Sequence, residues 1–521
     1  MFRFLRKYQF FPSASWQDFL ILFGGLSLYV GLAVSTIDKF SIWFDEAFGS
    51  YLIRFDYLSV ARYTSTDVHP PMYYWLLKFW TTYFGNTEFG IRSMSVFFGA
   101  VTVFFTFLVV LRLFGRRTAY VSLLFLILSP MFIRYSQEAR MYTLLTADIM
   151  AATYMLIYAL HSKKRWPWII YGVMVGFGVL TQYLCALAWV AHWVWRFLMV
   201  RTHGEPVKAS VKKIFSRQWV LAYAVAVLVF LPWVPFFLIQ FLTVQGQGFW
   251  IKPFTVATLP DFVSTILLFL PSSEVKSWAA AGVCLLVVAF VYSTFRLLHQ
   301  LQGDDHKNYL LILCLIVVPT LLLCAMSMPP LRPAFVDRYL LEVIVFLAVL
   351  FGINLTLSRT FLSRNFRVLT GVILAVVLMF GIYSQTVVGN YNRASGQSNN
   401  VRQLLEKVRA DSQLGTPILS STPWIFYEAA IYDRPDSPIY FVNETTMYKF
   451  GSLTMLYEND MHKIKDLDAF TRQHKSFWVI ANLLDTEPNA LRSNWNAGDV
   501  MVINDDLTGN PLYKAIKFTV E

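Results

Sequence analysis

The chain is 521 residues long, with 56% apolar residues against 15% charged and a mean hydropathy of +0.50. Soluble domains carry about 25% charged residues, so this balance excludes a disordered chain, a collagen-like fibre and an ordinary cytosolic enzyme, and points to an integral membrane protein. The net charge of +12 reads as Lys and Arg anchoring loops on one side of a bilayer rather than as a nucleic-acid footprint. Cys185, Cys284, Cys314 and Cys324 lie in apolar runs with no metal-ligand or disulfide spacing.

A hydrocarbon core needs about 20 apolar residues of helix. Such runs fall near 17–36, 91–113, 118–134, 141–160, 167–182, 184–200, 219–239, 278–298, 309–328, 339–357 and 367–387, which predicts a polytopic α-helical membrane protein of about eleven spans. No small-residue cleavage site follows the basic Met1–Tyr8, so the first run reads as a retained helix. Alternate loops up to the last span carry 20 Lys and Arg on one side and 11 on the other. The richer side is cytoplasmic by the positive-inside rule, and an odd number of spans places everything after about 388 outside.

Two long external segments stand out. Residues 37–90 are too polar to span but hold apolar runs such as Met72–Trp80, the pattern of interfacial helices on the outer leaflet. Residues 240–277, rich in Gly, Gln, Pro and aromatics, suit a mobile lid. The tail turns polar with mixed charge. Val401–Ala410 has helical spacing, and Pro417–Ser421, Ile439–Val442 and Phe477–Ala481 are short β-type runs, an order that suggests a small α/β domain. The expected organisation is a transmembrane catalytic domain over 1–387 and an extracytoplasmic α/β domain over 388–521.

Four groups of chemistry-bearing residues fall at span ends. Asp45 and Glu46 stand among aromatics just after the first span; partial desolvation makes a carboxylate a better base, and the alternative is an acidic first turn of a helix. Asp67 and His69 precede Pro70-Pro71. Two apart, they point the same way on an extended strand and either hold a divalent metal or phosphate or orient a substrate hydroxyl; the alternative is Asp67 as a helix cap. Arg134-Tyr135-Ser136-Gln137-Glu138-Ala139-Arg140 packs ionisable groups into a very short loop, which marks a functional site by default; the alternative is a Glu138–Arg140 pair. Arg332 and Arg338, with Tyr339, lie before the tenth span, and an Arg fork matches the oxygens of a phosphate; the alternative is a lipid-headgroup anchor. All four groups face one side of the membrane, which suggests lipid-phosphate chemistry there.

At these residues the chain resembles the glycosyltransferase C superfamily, in particular bacterial members related to protein O-mannosyltransferases and aminoarabinose transferases. The resemblance rests on Phe44-Asp45-Glu46-Ala47, on Asp67-Val68-His69-Pro70-Pro71 with Tyr73-Tyr74, on Arg92, on Tyr135-Ser136-Gln137-Glu138-Ala139-Arg140-Met141-Tyr142 and on Asp337-Arg338-Tyr339, and covers roughly 1–390. It implies an inverting transfer of a sugar from a polyprenyl-phosphate donor to a glycan, lipid or protein acceptor at the outer face of the bacterial cytoplasmic membrane. Asp45 is then the general base. Arg140, Arg332 and Arg338 meet the charge on the leaving phosphate, Glu138 orients Arg140, and Glu46, Asp67 and His69 shape the acceptor side. A divalent metal on Asp45, Asp67 and His69 stays open, and neither a nucleotide cofactor nor nucleic acid is expected. Two other readings stand beside this one. A polyprenyl-linked glycan ligase or flippase-like protein would keep the phosphate-binding Arg but not need Asp45. A transporter or receptor with a ligand-binding tail should carry charges near the bilayer midplane, where only Asp148 lies.

Overall fold

The computed structural model describes residues 10–201, 206–245, 251, 253–331, 333–386, 400–442, 455–456, 462–482, 494–504 and 509–520. In chain order the helices are α1 (Trp16–Val34), α2 (Phe44–Leu52), α3 (Tyr57–Thr64), α4 (Met72–Phe84), α5 (Glu88–Phe114), α6 (Arg116–Ile127), α7 (Pro130–Ser136), α8 (Tyr142–Leu160), α9 (Trp166–Thr181), α10 (Ala186–Val200), α11 (Val207–Ile214), α12 (Arg217–Phe230), α13 (Val234–Gln245), α14 (Thr258–Leu268), α15 (Ser277–Gln300), α16 (Gly303–Met326), α17 (Leu341–Leu357), α18 (Arg364–Thr386), α19 (Val401–Ala410), α20 (Pro423–Ala430) and α21 (Leu467–Gln473). The chain forms two compact units: Met1–Ser35, Ser95–Pro235 and Phe249–Val387 make the first, and Thr36–Met94, Phe236–Gly248 and Val388–Glu521 the second.

Among the described residues nine helices are long and apolar enough to cross a membrane, and the bent pair α6–α7 brings the number to ten. Every run expected to span is helical, but two of the eleven fall short. The run at 118–134 is broken by 63°, because Ser129 caps a new helix that Pro130 opens, its hydroxyl accepting from the Phe132 amide. The run at 167–182 gives α9 only 16 residues, below the length a hydrocarbon core requires.

What α9 lacks in length it gains in close packing on α12. Gly172 and Gly176, four apart, remove the side chains that would hold the backbones apart, the small-xxx-small device of membrane helices. A Cβ on Gly172 would stand 2.2 Å from the Ala222 carbonyl oxygen, and one on Gly176 2.8 Å from that of Ala226. Gly172→Val is therefore expected to destabilise the first unit by about 1–3 kcal/mol through overpacking, read as a lower unfolding midpoint in detergent. An unchanged midpoint would mean the two helices do not need this contact.

The segment expected as a mobile lid is helical in much of its described part: α14 packs against α18 and α7. In the second unit, α2, α3 and α4 occupy the stretch read as interfacial helices. The tail carries a six-stranded sheet of β1 (Ile418–Ser420), β2 (Ile439–Val442), β3 (Lys463–Ile464), β4 (Ser476–Asn482), β5 (Trp495–Asn504) and β6 (Pro511–Val520), ordered β3-β2-β1-β4-β6-β5. Strands β1 to β4 run parallel, while β6 pairs antiparallel with β4 and with β5. Leu419, Phe470, Phe477, Trp495 and Phe518 form a core on this sheet.

Candidate active site

In the second unit the two adjacent carboxylates at the start of α2 separate completely in environment. Glu46 is 0% exposed. Its Oε1 accepts from Arg92 Nε at 2.8 Å and its Oε2 from Arg92 Nη2 at 2.6 Å, the two-pronged fit of a guanidinium on a carboxylate. The rest of the Arg92 fork is spent on backbone: Nη1 donates to the carbonyls of Ile37 and Phe40 at 2.8 and 2.9 Å, and Nη2 also reaches Ser41 O at 3.2 Å. Glu46 is thus not a group that shapes the acceptor, as expected from sequence. It neutralises the buried cation that folds the 37–41 turn leading into α2. Asp45, one residue earlier, is only half-buried.

Asp67 does not cap α4. The residue at the cap is Pro71. The 64–69 turn is instead tied by one residue that the sequence did not single out: Gln240 Nε2 donates to the carbonyls of Thr64, Asp67 and His69 at 3.0, 2.7 and 3.1 Å. Asp67 and His69 are both largely buried.

The tail closes on the same elements. Helix α20 packs on α2, with the Phe44 and Trp424 rings 4.2 Å apart and Tyr427 edge-on to Phe48 at 5.7 Å and to Tyr51 at 5.4 Å. Burial pushes the Tyr427 hydroxyl well above its ordinary pKa, with the Tyr51 and Asp67 charges adding to the shift, so it is neutral at physiological pH. Tyr427 thus stands within electrostatic reach of Asp67 while packing on the helix that carries Asp45. Arg402 pairs with Glu88 at 2.6 Å and Arg54 Nη2 donates to Ala430 O at 2.7 Å, which fixes the tail to α5 and α2. The aromatic run 424–427 was the available signal for this contact; in sequence it reads only as core.

In the first unit the loop between α7 and α8 and the turn before α17 meet. Glu138 pairs with Arg134 at 2.6 Å, both buried, and Arg134 lies one helical turn before it. Arg140 and Arg338 are 4% and 6% exposed. Arg338 lies 5.9 Å from the Tyr142 ring centroid and 6.0 Å from that of Tyr339. The Tyr142 hydroxyl, buried with no hydrogen-bond partner among the described residues, is within electrostatic reach of Arg338, Arg140 and Glu138. Tyr135 is within reach of Asp337, Glu138, Arg338 and Arg134. This cluster brings the Arg134, Arg140 and Arg338 guanidiniums near the Glu138 and Asp337 carboxylates. It gathers at the N-terminal ends of both α8 and α17, whose dipoles also favour an anion. Glu138 and Arg338 therefore lie at one end of the bundle. Arg332 lies outside the described residues.

Among the described residues no three His, Cys, Asp or Glu side chains lie close enough to hold a metal ion.

Residues 68–236 match the family described as dolichyl-phosphate-mannose-protein mannosyltransferase. No curated protein matches the chain in sequence. Among solved structures, ArnT from Cupriavidus metallidurans bound to undecaprenyl phosphate superposes with a TM-score of 0.61 at 14% identity, over 96% of this chain and 98% of that one. The Archaeoglobus fulgidus oligosaccharyltransferase in complex with Zn and sulfate gives 0.51 at 11% identity, over 89% and 68%. The chain therefore shares the fold of these structures, and over 68–236 it is similar in sequence to that mannosyltransferase family.

Proposed function

We propose that the chain is an inverting glycosyltransferase that moves a sugar from a polyprenyl-phosphate carrier to an acceptor hydroxyl. The observation that carries the reading is the Tyr142 hydroxyl, buried without a hydrogen-bond partner among the described residues and within electrostatic reach of the Arg140 and Arg338 guanidiniums. An unsatisfied buried hydroxyl costs about 1–3 kcal/mol, and a phosphate oxygen placed there satisfies it beside the two guanidiniums. The ArnT structure holds a lipid phosphate in the same fold, which supports a lipid-linked donor.

In this reading Asp45 accepts the proton of the acceptor hydroxyl as that oxygen bonds to the anomeric carbon with inversion. The bond from the anomeric carbon to the phosphate oxygen breaks, and its electron pair leaves with the polyprenyl phosphate. No acid is needed, because Arg140 and Arg338 meet the developing negative charge. Asp67 and the neutral Tyr427 hydroxyl line the acceptor side. Both guanidiniums belong to loops on the side poor in Lys and Arg, which supports a reaction at the outer face of the cytoplasmic membrane with 388–521 outside.

The test is the purified full-length chain in vesicles, offered a panel of polyprenyl-phosphate sugars. Sugar transfer with release of polyprenyl phosphate and inverted anomeric configuration is expected for at least one donor. Absence of turnover across the panel overturns the reading. Arg338→Gln is expected to lower kcat/KM about 100-fold, as loss of one transition-state donor does; a change within twofold would remove Arg338 from the phosphate site.

A further inference from the structure

In the first unit a narrow cavity of about 70 Å³ lies between α15, α17 and α18. Helices α15 and α18 both pack on α17, and all three supply lining residues. The outer two face lipid: 11% of the apolar stretch of α15 and 22% of that of α18 is buried, against 72% for the span that contains α17. Along α18 the cavity runs from Leu374 to Arg367, about 10 Å at 1.5 Å per residue, and ends at the turn between α17 and α18. That turn belongs to the side of the membrane rich in Lys and Arg.

Apolar walls do not by themselves select a ligand in a bilayer, because lipid tails are as apolar as Leu. Two hydroxyls in this cavity can. Ser293 and Ser358 line it, are 5% and 0% exposed, and have no hydrogen-bond partner among the described residues. A helix hydroxyl with nothing else to bond turns back to the carbonyl four residues earlier. Thr356 does so to Gly352 O and Thr370 to Phe366 O, both at 2.8 Å. Ser293 and Ser358 do not, and buried donors left unmatched are costly. The two stand near each other in height. Asn354 Nδ2 donates to Thr294 Oγ1 at 2.8 Å, which sets Ser293 level with Asn354, and Ser358 follows one turn later. At the mouth, Arg367 is fixed by donating from Nη1 to Leu355 O at 3.0 Å. Arg359 and Arg364 flank the same turn, and 343–405 holds no Asp or Glu, so the mouth suits an anionic head group.

We propose that this cavity seats one acyl chain of an anionic phospholipid from the leaflet on the Lys- and Arg-rich side. The ester carbonyls of the glycerol backbone accept from the Ser293 and Ser358 hydroxyls, the chain lies along Leu286, Phe351 and Leu374, and the phosphate faces Arg367. A polyprenyl phosphate shares the anionic head but carries no ester for the two hydroxyls, which favours the phospholipid. None of the residues assigned to sugar transfer takes part.

The test is lipid retention by the full-length chain, read by native mass spectrometry after reconstitution with diester phosphatidylglycerol, diether phosphatidylglycerol, diester phosphatidylcholine and undecaprenyl phosphate in equal amounts. Ala289→Phe fills the cavity from α15, so the lipid that this variant loses is the lipid held there. Loss of diester phosphatidylglycerol in preference to the other three is expected, with sugar transfer unchanged. Loss of undecaprenyl phosphate instead, equal loss of the diester and diether forms or of the two head groups, or no loss at all overturns the proposal. Ser293→Ala with Ser358→Ala is expected to weaken phosphatidylglycerol about tenfold, as loss of two neutral hydrogen bonds does. The same pair should leave the unfolding midpoint of the delipidated protein unchanged or higher, because it removes two unmatched donors. A lower midpoint with retention within twofold of wild type would make the hydroxyls structural and overturn their assignment to a lipid.

Discussion

Asp45→Asn is expected to reduce sugar transfer by a factor of about 10² to 10⁴, the range that a positioned general base contributes. The substitution leaves the shape of α2 alone. The helix start does not use the Asp45 side chain as a cap, the turn before it is held by Arg92 and Glu46, and Phe44 stays against Trp424. Donor binding should therefore survive while turnover falls. That split separates the transferase from a polyprenyl-linked ligase or flippase, which would keep its activity without this carboxylate. A loss below tenfold, measured as initial rate with saturating donor, would take the base away from Asp45.

Much of the membrane fold was legible because each spanning helix needs its own unbroken apolar run, a property that local sequence carries in full. The two runs that fell short show the limit. Ser129-Pro130 is a start signal inside an apolar stretch, and hydropathy alone does not register it. Gly172 and Gly176 let a short helix pack tightly on its neighbour, which depends on the partner. In the tail, the runs around 418–420, 439–442 and 477–481 became β1, β2 and β4. Strand β5, however, holds Asn496, Gly498 and Asp499, lacks the apolar alternation of a half-buried strand and forms through its pairing with β6.

The site shows the same division. Which residues carry charge at span ends could be read directly; which of them pair could be read only where the partners are neighbours on one helix. Arg134 and Glu138 are one turn apart, and that spacing was a usable signal for their ion pair. Glu46 and Arg92 are separated by 46 residues, and nothing local links them. Gln240 folds the Asp67 turn from 173 residues away in sequence, as one amide in a largely apolar helix. Trp424 and Tyr427 belong to a region that the resemblance to glycosyltransferases did not reach.

Glu46→Gln should be the most destabilising single change in the second unit, by about 3–5 kcal/mol, because it leaves the Arg92 charge buried and unpaired. The carboxylate and guanidinium are both 0% exposed, so water cannot replace the lost partner. Removing the charge as well, in Glu46→Gln with Arg92→Met, should recover part of that loss, since a buried pair replaced by neutral side chains is often close to neutral in stability. Recovery must stay incomplete. Arg92 also satisfies the Ile37, Phe40 and Ser41 carbonyls, and each buried acceptor left unmet costs about 1–3 kcal/mol. Unfolding midpoints of the two single variants and the double variant in one detergent give the coupling directly. A Glu46→Gln protein as stable as wild type would mean the pair does not hold the turn before α2. If the pair does hold it, the double variant should fold yet transfer sugar slowly, because the turn that aims Asp45 has lost its anchor.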